Sequence, residues 1–565
     1  MPLCSTTSSA STQSFMSSKL AECFADHLLC KRHTSSDHAP KYWPARLLHL
    51  GGSDHSTVTL EETTEWTEGV KYVTLSHRWG GVEFKTLTKS SKPEFQKGLD
   101  VDFLPRTFRE TIHLVRQLGY TYLWIDSLCI IQDSTEDWQE QAPEMHNIYK
   151  NSTFTVSACC GNSQHGIFRD RNPQSVMPFQ VWGDWSRLRQ PAPRSGSYYC
   201  FDQHLWQNEV EECSLRQRAW VAQERILSPR NFYFGSHMVY FQCRDNAASE
   251  VFPFSEPQAS NPKTSHLYML SDTSHPMGFR DALDDALSPN SSRQTLYEEW
   301  NRFIQYYTVC RLTCDKDIFF ALEGLAAECG NRTGDTLVAG LWRSQLPRAL
   351  CWCVNWDHVF LNWRELAAEY KPVRPVDWRA PTWSWASTRL PIKASDSRGL
   401  QHDEPLAEVV SIEDYLDSSR AVRKSGLLRI KSRVYSCRLL SLDEGFKTRW
   451  REENVCIFDL GRNKRLRASV SFDESAGISQ SFLWTVFMPL IQERPRHGEQ
   501  NFVVTRGLLL GLSETMPGAY HRRGRVTVTD HVPLSTSLKD HVKPGSWVTY
   551  DEYDECRGFC TLRII

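Results

Sequence analysis

A chain of 565 residues is too long for one hydrophobic core and implies two or three domains. Its 40% hydrophobic and 23% charged residues give a globular balance and exclude a disordered chain. A formal net charge of −2 provides no global field to recruit nucleic acid or an anionic membrane, and no basic stripe or docking motif for nucleic acid is present.

Residues 1–40 are rich in Ser and Thr with few large apolar side chains, which predicts a poorly ordered leader. Order is expected to begin with the strand Tyr72-Val73-Thr74-Leu75-Ser76. Leu104, Phe108, Ile112, Val115 and Leu118 then recur at helical spacing, with Pro105 suited to the first turn and Gly119 to a left-handed end. Tyr122 to Asp126 reads as a buried strand. Trp138, Met145 and Tyr149 mark a helix that Pro143 should kink or divide, and Thr153 to Ser157 is a third strand. This β-α-β-α-β order predicts an α/β domain over 41–245, a mostly parallel, flavodoxin-like sheet with flanking helices. Residues 161–210 look like an insertion into it. Arg218–Leu227 is expected as a helix, followed by a strand pair at Asn231–Phe234 and Met238–Gln242. Beyond a polar linker (246–292) come a helical region (293–400, with Trp300, Ile304 and Tyr307 on one face) and a β-rich C-terminal domain (401–565).

The 18 cysteines include the pairs Cys310/Cys314, Cys351/Cys353 and Cys556/Cys560. None has the matching second pair or His spacing of a zinc module, so scattered buried thiols and no metal are expected. The first residues lack the basic-then-apolar order of a signal peptide, and no apolar run approaches the ~20 residues of a membrane span. Reduced thiols and a cytoplasmic location are the expectations.

In an open parallel sheet, ligands bind beyond the carboxyl ends of the strands. That rule selects Ser76, His77, Arg78, Trp79 and Gly80 after the first strand, and Asp126, Cys129 and Gln132 after the second. Ordinary turn chemistry is the plainer reading of any one of them. A third cluster, Arg218, Trp220, Gln223 and Glu224, sits on the later helix, where Trp220 and Glu224 lie one turn apart. The plainer reading there is a surface helix with Glu224 paired to a nearby Arg. GxSxG, HExxH and Walker-type motifs are absent, and Gly80-Gly81 is not GxGxxG. A His77–Cys129 thiol–imidazole pair is a further alternative.

Three long blocks carry a resemblance. Tyr72 to Gly80 (YVTLSHRWG), Leu123 to Asp133 (LWIDSLCIIQD) and Leu215 to Leu227 (LRQRAWVAQERIL) resemble, in order, the blocks of the fungal heterokaryon-incompatibility (HET) domain. Departures are His77-Arg78 for the usual pair, Ile131 for Asn, Val221 for Thr, and Pro143 within a helix. Loss of the Asn amide removes a ligand hydrogen-bonding group at a strand end. Arg379 to Ser387 (RAPTWSWAS) and Gly507 to Leu510 are similar to later landmarks of such proteins.

The resemblance implies nonself recognition in filamentous fungi and promotion of programmed cell death. The domain is considered a remote relative of TIR domains, which share the α/β sheet and include NAD-cleaving enzymes. By that analogy Glu224, four residues beyond Trp220, is the catalytic residue of an NAD glycohydrolase. The strand-end residues, with Arg218, Trp220 and Gln223, would then bind NAD as substrate, with no cofactor required. The alternative is a non-enzymatic signalling module. Either implies a homo-oligomer or another incompatibility-pathway protein as partner.

Overall fold

Alternation of strands with amphipathic helices builds one large sheet in the first half of the chain, and a run of consecutive strands builds a second in the last third. The computed structural model describes residues 3–34, 42–51, 56–66, 70–81, 83–184, 195–254, 276–286, 292–361, 374–375, 377–395, 400–402, 405–416, 423–442, 454–461, 464–473, 484–495, 502–514, 516–530 and 548–565. Parts of the expected leader (1–2, 35–40), insertion (185–194) and linker (255–275, 287–291) lie outside these residues. Two compact units are present. The first is Met1–Ser292 with Cys310–Leu312 and Phe319–Cys329; the second is Arg293–Val309, Thr313–Ile318 and Gly330–Ile565.

In the first unit the strands are β1 (Arg46–His49), β2 (Thr57–Glu62), β3 (Tyr72–Ser76), β4 (Leu99–Asp100), β5 (Tyr122–Trp124), β6 (Phe154–Ala158), β7 (Phe179–Gly183), β8 (Gly196–Cys200), β9 (Asn231–Phe234), β10 (Val239–Gln242) and β11 (Ala247–Ser249). Helices are α1 (Ala10–Asp26), α2 (Leu28–Thr34), α3 (Lys92–Lys97), α4 (Arg106–Gln117), α5 (Asp126–Cys129), α6 (Thr135–Lys150), α7 (Ala219–Leu227) and α8 (Pro276–Asp285). Among the described residues, nine strands form one sheet in the order β11-β10-β9-β6-β3-β5-β1-β2-β4. Its centre, β5-β3-β6-β9, is parallel. In chain order these are the second, first, third and fourth parallel strands, the flavodoxin-like arrangement, with the switch point between β3 and β6. Antiparallel strands extend this centre on both sides. The expected parallel sheet is therefore the middle of a wider, mixed one. β7 and β8 form a separate hairpin within the insertion.

Alternation along β3 sorts its side chains. Val73 and Leu75 face one side, and Tyr72, Thr74 and Ser76 the other. α4 buries Phe108, Ile112 and Val115, with Leu104 just before it. Pro105 caps that helix rather than entering its first turn, and Gly119 follows its end at φ +81°. α6 is a single element that contains Pro143. The Pro removes one N–H bond, and burial of Ala142, Met145, Ile148 and Tyr149 on both sides of it holds the helix together.

The composition of 1–40 predicts a poorly ordered leader, but α1 and α2 are ordered helices. Ser9 caps α1 by accepting from the Thr12 N–H, and Phe15, Met16, Leu20 and Cys23 are buried against the first unit's core. Few apolar residues suffice because they recur on one face, which composition alone does not register.

The second unit opens with a helix, Arg293–Tyr307, that buries Trp300, Ile304 and Tyr307 as their spacing predicts. Its described residues also hold an 11-stranded sheet running from Leu400 to Ile564, antiparallel except where Ala519–Asp530 meets Phe559–Ile564. Arg522 is buried within it, bonded to Asp473 (3.0 Å) and to the carbonyls of Leu350 (2.6 Å) and Trp352 (2.5 Å). Among the described residues no helix is long and apolar enough to cross a membrane.

Candidate active site

Helix α7 decides the chemistry of the first unit. Its sequence, AWVAQERIL, places Gln, Glu and Arg in consecutive positions, yet every residue from Val221 to Leu227 is buried. A polar side chain buried on such a helix needs a partner. Arg225 finds one in Glu211 through a two-pronged pair (2.8 and 2.7 Å) and also donates to Tyr233 (2.8 Å). Glu224 turns the other way, so the expected surface helix with Glu224 in an ion pair is not what forms.

The Glu224 side chain, 5% exposed, lies beyond the carboxyl end of β3 with Arg218, Ser76, Asp126 and Tyr149 around it. Each is delivered by a different element. Ser76 ends β3 on the α7 side, and its hydroxyl is buried beside the carboxylate without a completed hydrogen bond. Asp126 begins α5, directly after β5. Arg218 caps the start of α7 and donates to the His77 carbonyl. The Tyr149 hydroxyl, from the last turn of α6, lies between the Leu75 carbonyl (3.3 Å) and Glu224.

A line of buried hydroxyls fixes α7 to the sheet. Thr74 and Thr155 are 2.6 Å apart, Thr155 and Ser228 are 2.6 Å apart, and Ser228 donates to the Glu224 carbonyl at 2.6 Å. With the Ser228 proton committed, Thr155 must donate to Ser228 and Thr74 to Thr155. Thr155→Val would orphan groups at both ends of that line. A loss of roughly 1–3 kcal/mol in urea unfolding is expected.

Burial pushes the Glu224 carboxyl up to about 7. The Arg218 cation and the Ser76 hydroxyl pull the other way, Asp126 adds to the rise, and the Tyr149 hydroxyl opposes it. A carboxyl balanced near neutrality between two strand ends is what acid–base and charge-stabilising chemistry needs.

His77 goes to the opposite face of the sheet. It stacks edge-on with Phe108 of α4 (4.9 Å), and its Nδ1 is 3.9 Å from Asp126. Burial pushes its pKa down to about 4, against the pull of Asp126 and with the help of Arg218. Asp126 is further fixed by the Trp79 indole N–H (2.8 Å) and the Ser127 N–H (2.7 Å). Trp79 and Arg78 are half-buried, and among the described residues Arg78 has no ion-pair or hydrogen-bond partner. Gly80 turns the chain at φ +76°, where a Cβ would come within 2.8 Å of Asn162.

The other selected residues do not join this cluster. Cys129 is in the dry core, its thiol pushed up to about 12 by burial, and no hydrogen bond joins it to His77. The thiol–imidazole alternative therefore loses the contact it requires. Gln132 is exposed and bonds the carbonyls of Ile130 (2.8 Å) and Asp126 (3.2 Å). Gln223 is buried next to Gly324, its Oε1 unpartnered, and Trp220 packs half-buried on the core. Ile131, in place of an amide, offers only its backbone N–H, which donates to Asp137 (2.8 Å).

Tyr149 and the support beneath Asp126 are what residue-type reasoning passes over. Arg46 holds the Cys129 carbonyl (2.7 Å) and both oxygens of Asp137 (2.6 and 2.7 Å), bracing the loop after α5. Tyr149 is visible in the sequence only as a core position of α6.

No curated protein and no solved structure matches the chain. The family model described as Heterokaryon incompatibility protein (HET) matches residues 72–224. That match opens on the first residue of β3, ends on the buried carboxylate, and takes in both strand-end clusters and the cluster on α7. Residues 72–224 of this chain are a heterokaryon incompatibility (HET) domain.

Proposed function

We propose that the chain acts in nonself recognition and promotes cell death by hydrolysing the nicotinamide–ribose bond of NAD at Glu224. One observation carries this reading: Glu224 is buried at the carboxyl end of β3, facing Ser76, Tyr149, Arg218 and Asp126. Breaking the bond between ribose C1′ and the nicotinamide nitrogen sends the electron pair to nicotinamide and leaves an oxocarbenium-like centre. The ionised carboxylate stabilises that charge; water then adds its oxygen to C1′ and releases a proton. Half-buried Trp79, pinned by Asp126, offers a stacking face, and the half-buried Arg78 offers a fork for phosphate oxygens. Ser76 and Glu224 are nearly closed off from solvent, so self-association that exposes this buried cluster would couple recognition to catalysis.

The purified full chain at high concentration is expected to release nicotinamide from NAD. Absence of release, with death of fungal cells unaffected by Glu224→Ala, would instead identify a non-enzymatic signalling module. The rate should climb with pH through about 7, because the carboxylate is the working form. Arg218→Gln removes the largest force holding Glu224 ionised, so its pH profile should move to higher pH.

A further inference from the structure

Cys23, His27, Cys30 and Cys243 place one ligand atom each within 4.8 Å of one another. Cys23 lies in the last turn of α1, His27 caps it, Cys30 is in the first turn of α2, and Cys243 follows β10. A zinc tetrahedron with bonds of ~2.3 Å has edges of ~3.8 Å, so the four atoms need only small shifts of about an ångström or less. All three thiols are buried, and His27 Nδ1 is 3.2 Å from the Cys243 sulfur.

From this geometry we infer a structural zinc site of the Cys3His type that clamps the N-terminal helices to the nine-stranded sheet. The surroundings are those of a metal centre. His27 turns its other nitrogen to the Glu22 carboxylate at 3.7 Å, which would fix the ring and raise its basicity. The Arg230 Nε donates to the Cys23 sulfur (3.0 Å), offsetting the net −1 of three thiolates and one zinc. Backbone N–H groups of the Cys243 loop point at sulfur as well: Asn246 at Cys243 (3.3 Å), Arg244 and Asp245 at Cys30. Four protein ligands leave no open position, so the site is structural rather than catalytic. It also accounts for a seven-residue α2, too short to be stable alone, being ordered at all. Residue spacing gives only the local half of it, Cys23-x3-His27-x2-Cys30, because the fourth ligand comes 216 residues beyond His27.

The full chain, purified under reducing conditions, should carry a single zinc by elemental analysis. Cobalt exchanged into it should show thiolate charge-transfer and tetrahedral visible bands. Cys243→Ser and His27→Ala should lose the metal, while His27→Cys should retain it and Cys314→Ser, at an exposed thiol outside the cluster, should not differ from wild type. Chelation should open residues 10–34 to proteolysis. Reduced, folded protein that takes up no zinc or cobalt would overturn the site, as would a disulfide among these cysteines in protein prepared without oxidant. A His27→Cys variant that folds but cannot bind metal would do the same.

Discussion

Glu224→Gln is expected to cut nicotinamide release by at least ~100-fold while making the protein more stable above pH 7. Both effects come from the same carboxyl. Its folded pKa is raised from 4.5 to about 7, chiefly by burial. Below 4.5 the group is protonated in both folded and unfolded chains, and its burial is not opposed by charge. Between 4.5 and about 7 the unfolded chain ionises first, so stability falls as pH rises. Above that window the buried charge costs roughly 3 kcal/mol, at about 1.4 kcal/mol per pH unit. Gln keeps the shape and can accept from Ser76 and Tyr149, so the variant should gain roughly 1–3 kcal/mol in urea unfolding at pH 8. At pH 4 the two proteins should unfold alike. Equal unfolding at pH 8 would place the carboxyl in water, and undiminished nicotinamide release would remove it from the catalytic role.

The adjacent Arg225→Met is expected to show the opposite signature: a loss of roughly 3–5 kcal/mol with turnover per folded molecule unchanged. Arg225 is buried and supplies two bonds to Glu211 and one to Tyr233, and it also reaches Gln242. Glu211 keeps Arg216 and the Trp206 indole but loses its two-pronged partner, and Tyr233 and Gln242 lose a donor in the interior. Lys cannot replace the planar fork, so Arg225→Lys should recover little. Denaturant midpoints, with nicotinamide release measured at low temperature on the folded fraction, would separate the two neighbours. Full stability in Arg225→Met would show that the pair contributes nothing. A lost turnover in the folded variant would bring Arg225 into the site.

That contrast marks where sequence stops and folding begins. Periodicity identifies the elements from Tyr72 onward that build the parallel centre, because helical and strand spacings are local properties: Phe108, Ile112 and Val115 mark α4, and Tyr72 to Ser76 mark β3, whereas α1, α2, β1 and β2 before them are not expected from it. The strand-end rule likewise reaches Ser76 and Asp126, since ligands gather where parallel strands stop. The three blocks also specify the HET domain that the family model matches over residues 72–224. Direction and burial are different. Neighbours Ser76 and His77 separate to opposite faces of the sheet, and neighbours Glu224 and Arg225 separate on a helix buried at every position but Trp220. Tyr149 joins Glu224 from α6, and Cys243 joins Cys23, His27 and Cys30 from a distant strand. Such meetings depend on which helix covers which face and on where a charge loses its water. Those are settled by packing across the sheet, and spacing along the chain does not carry them.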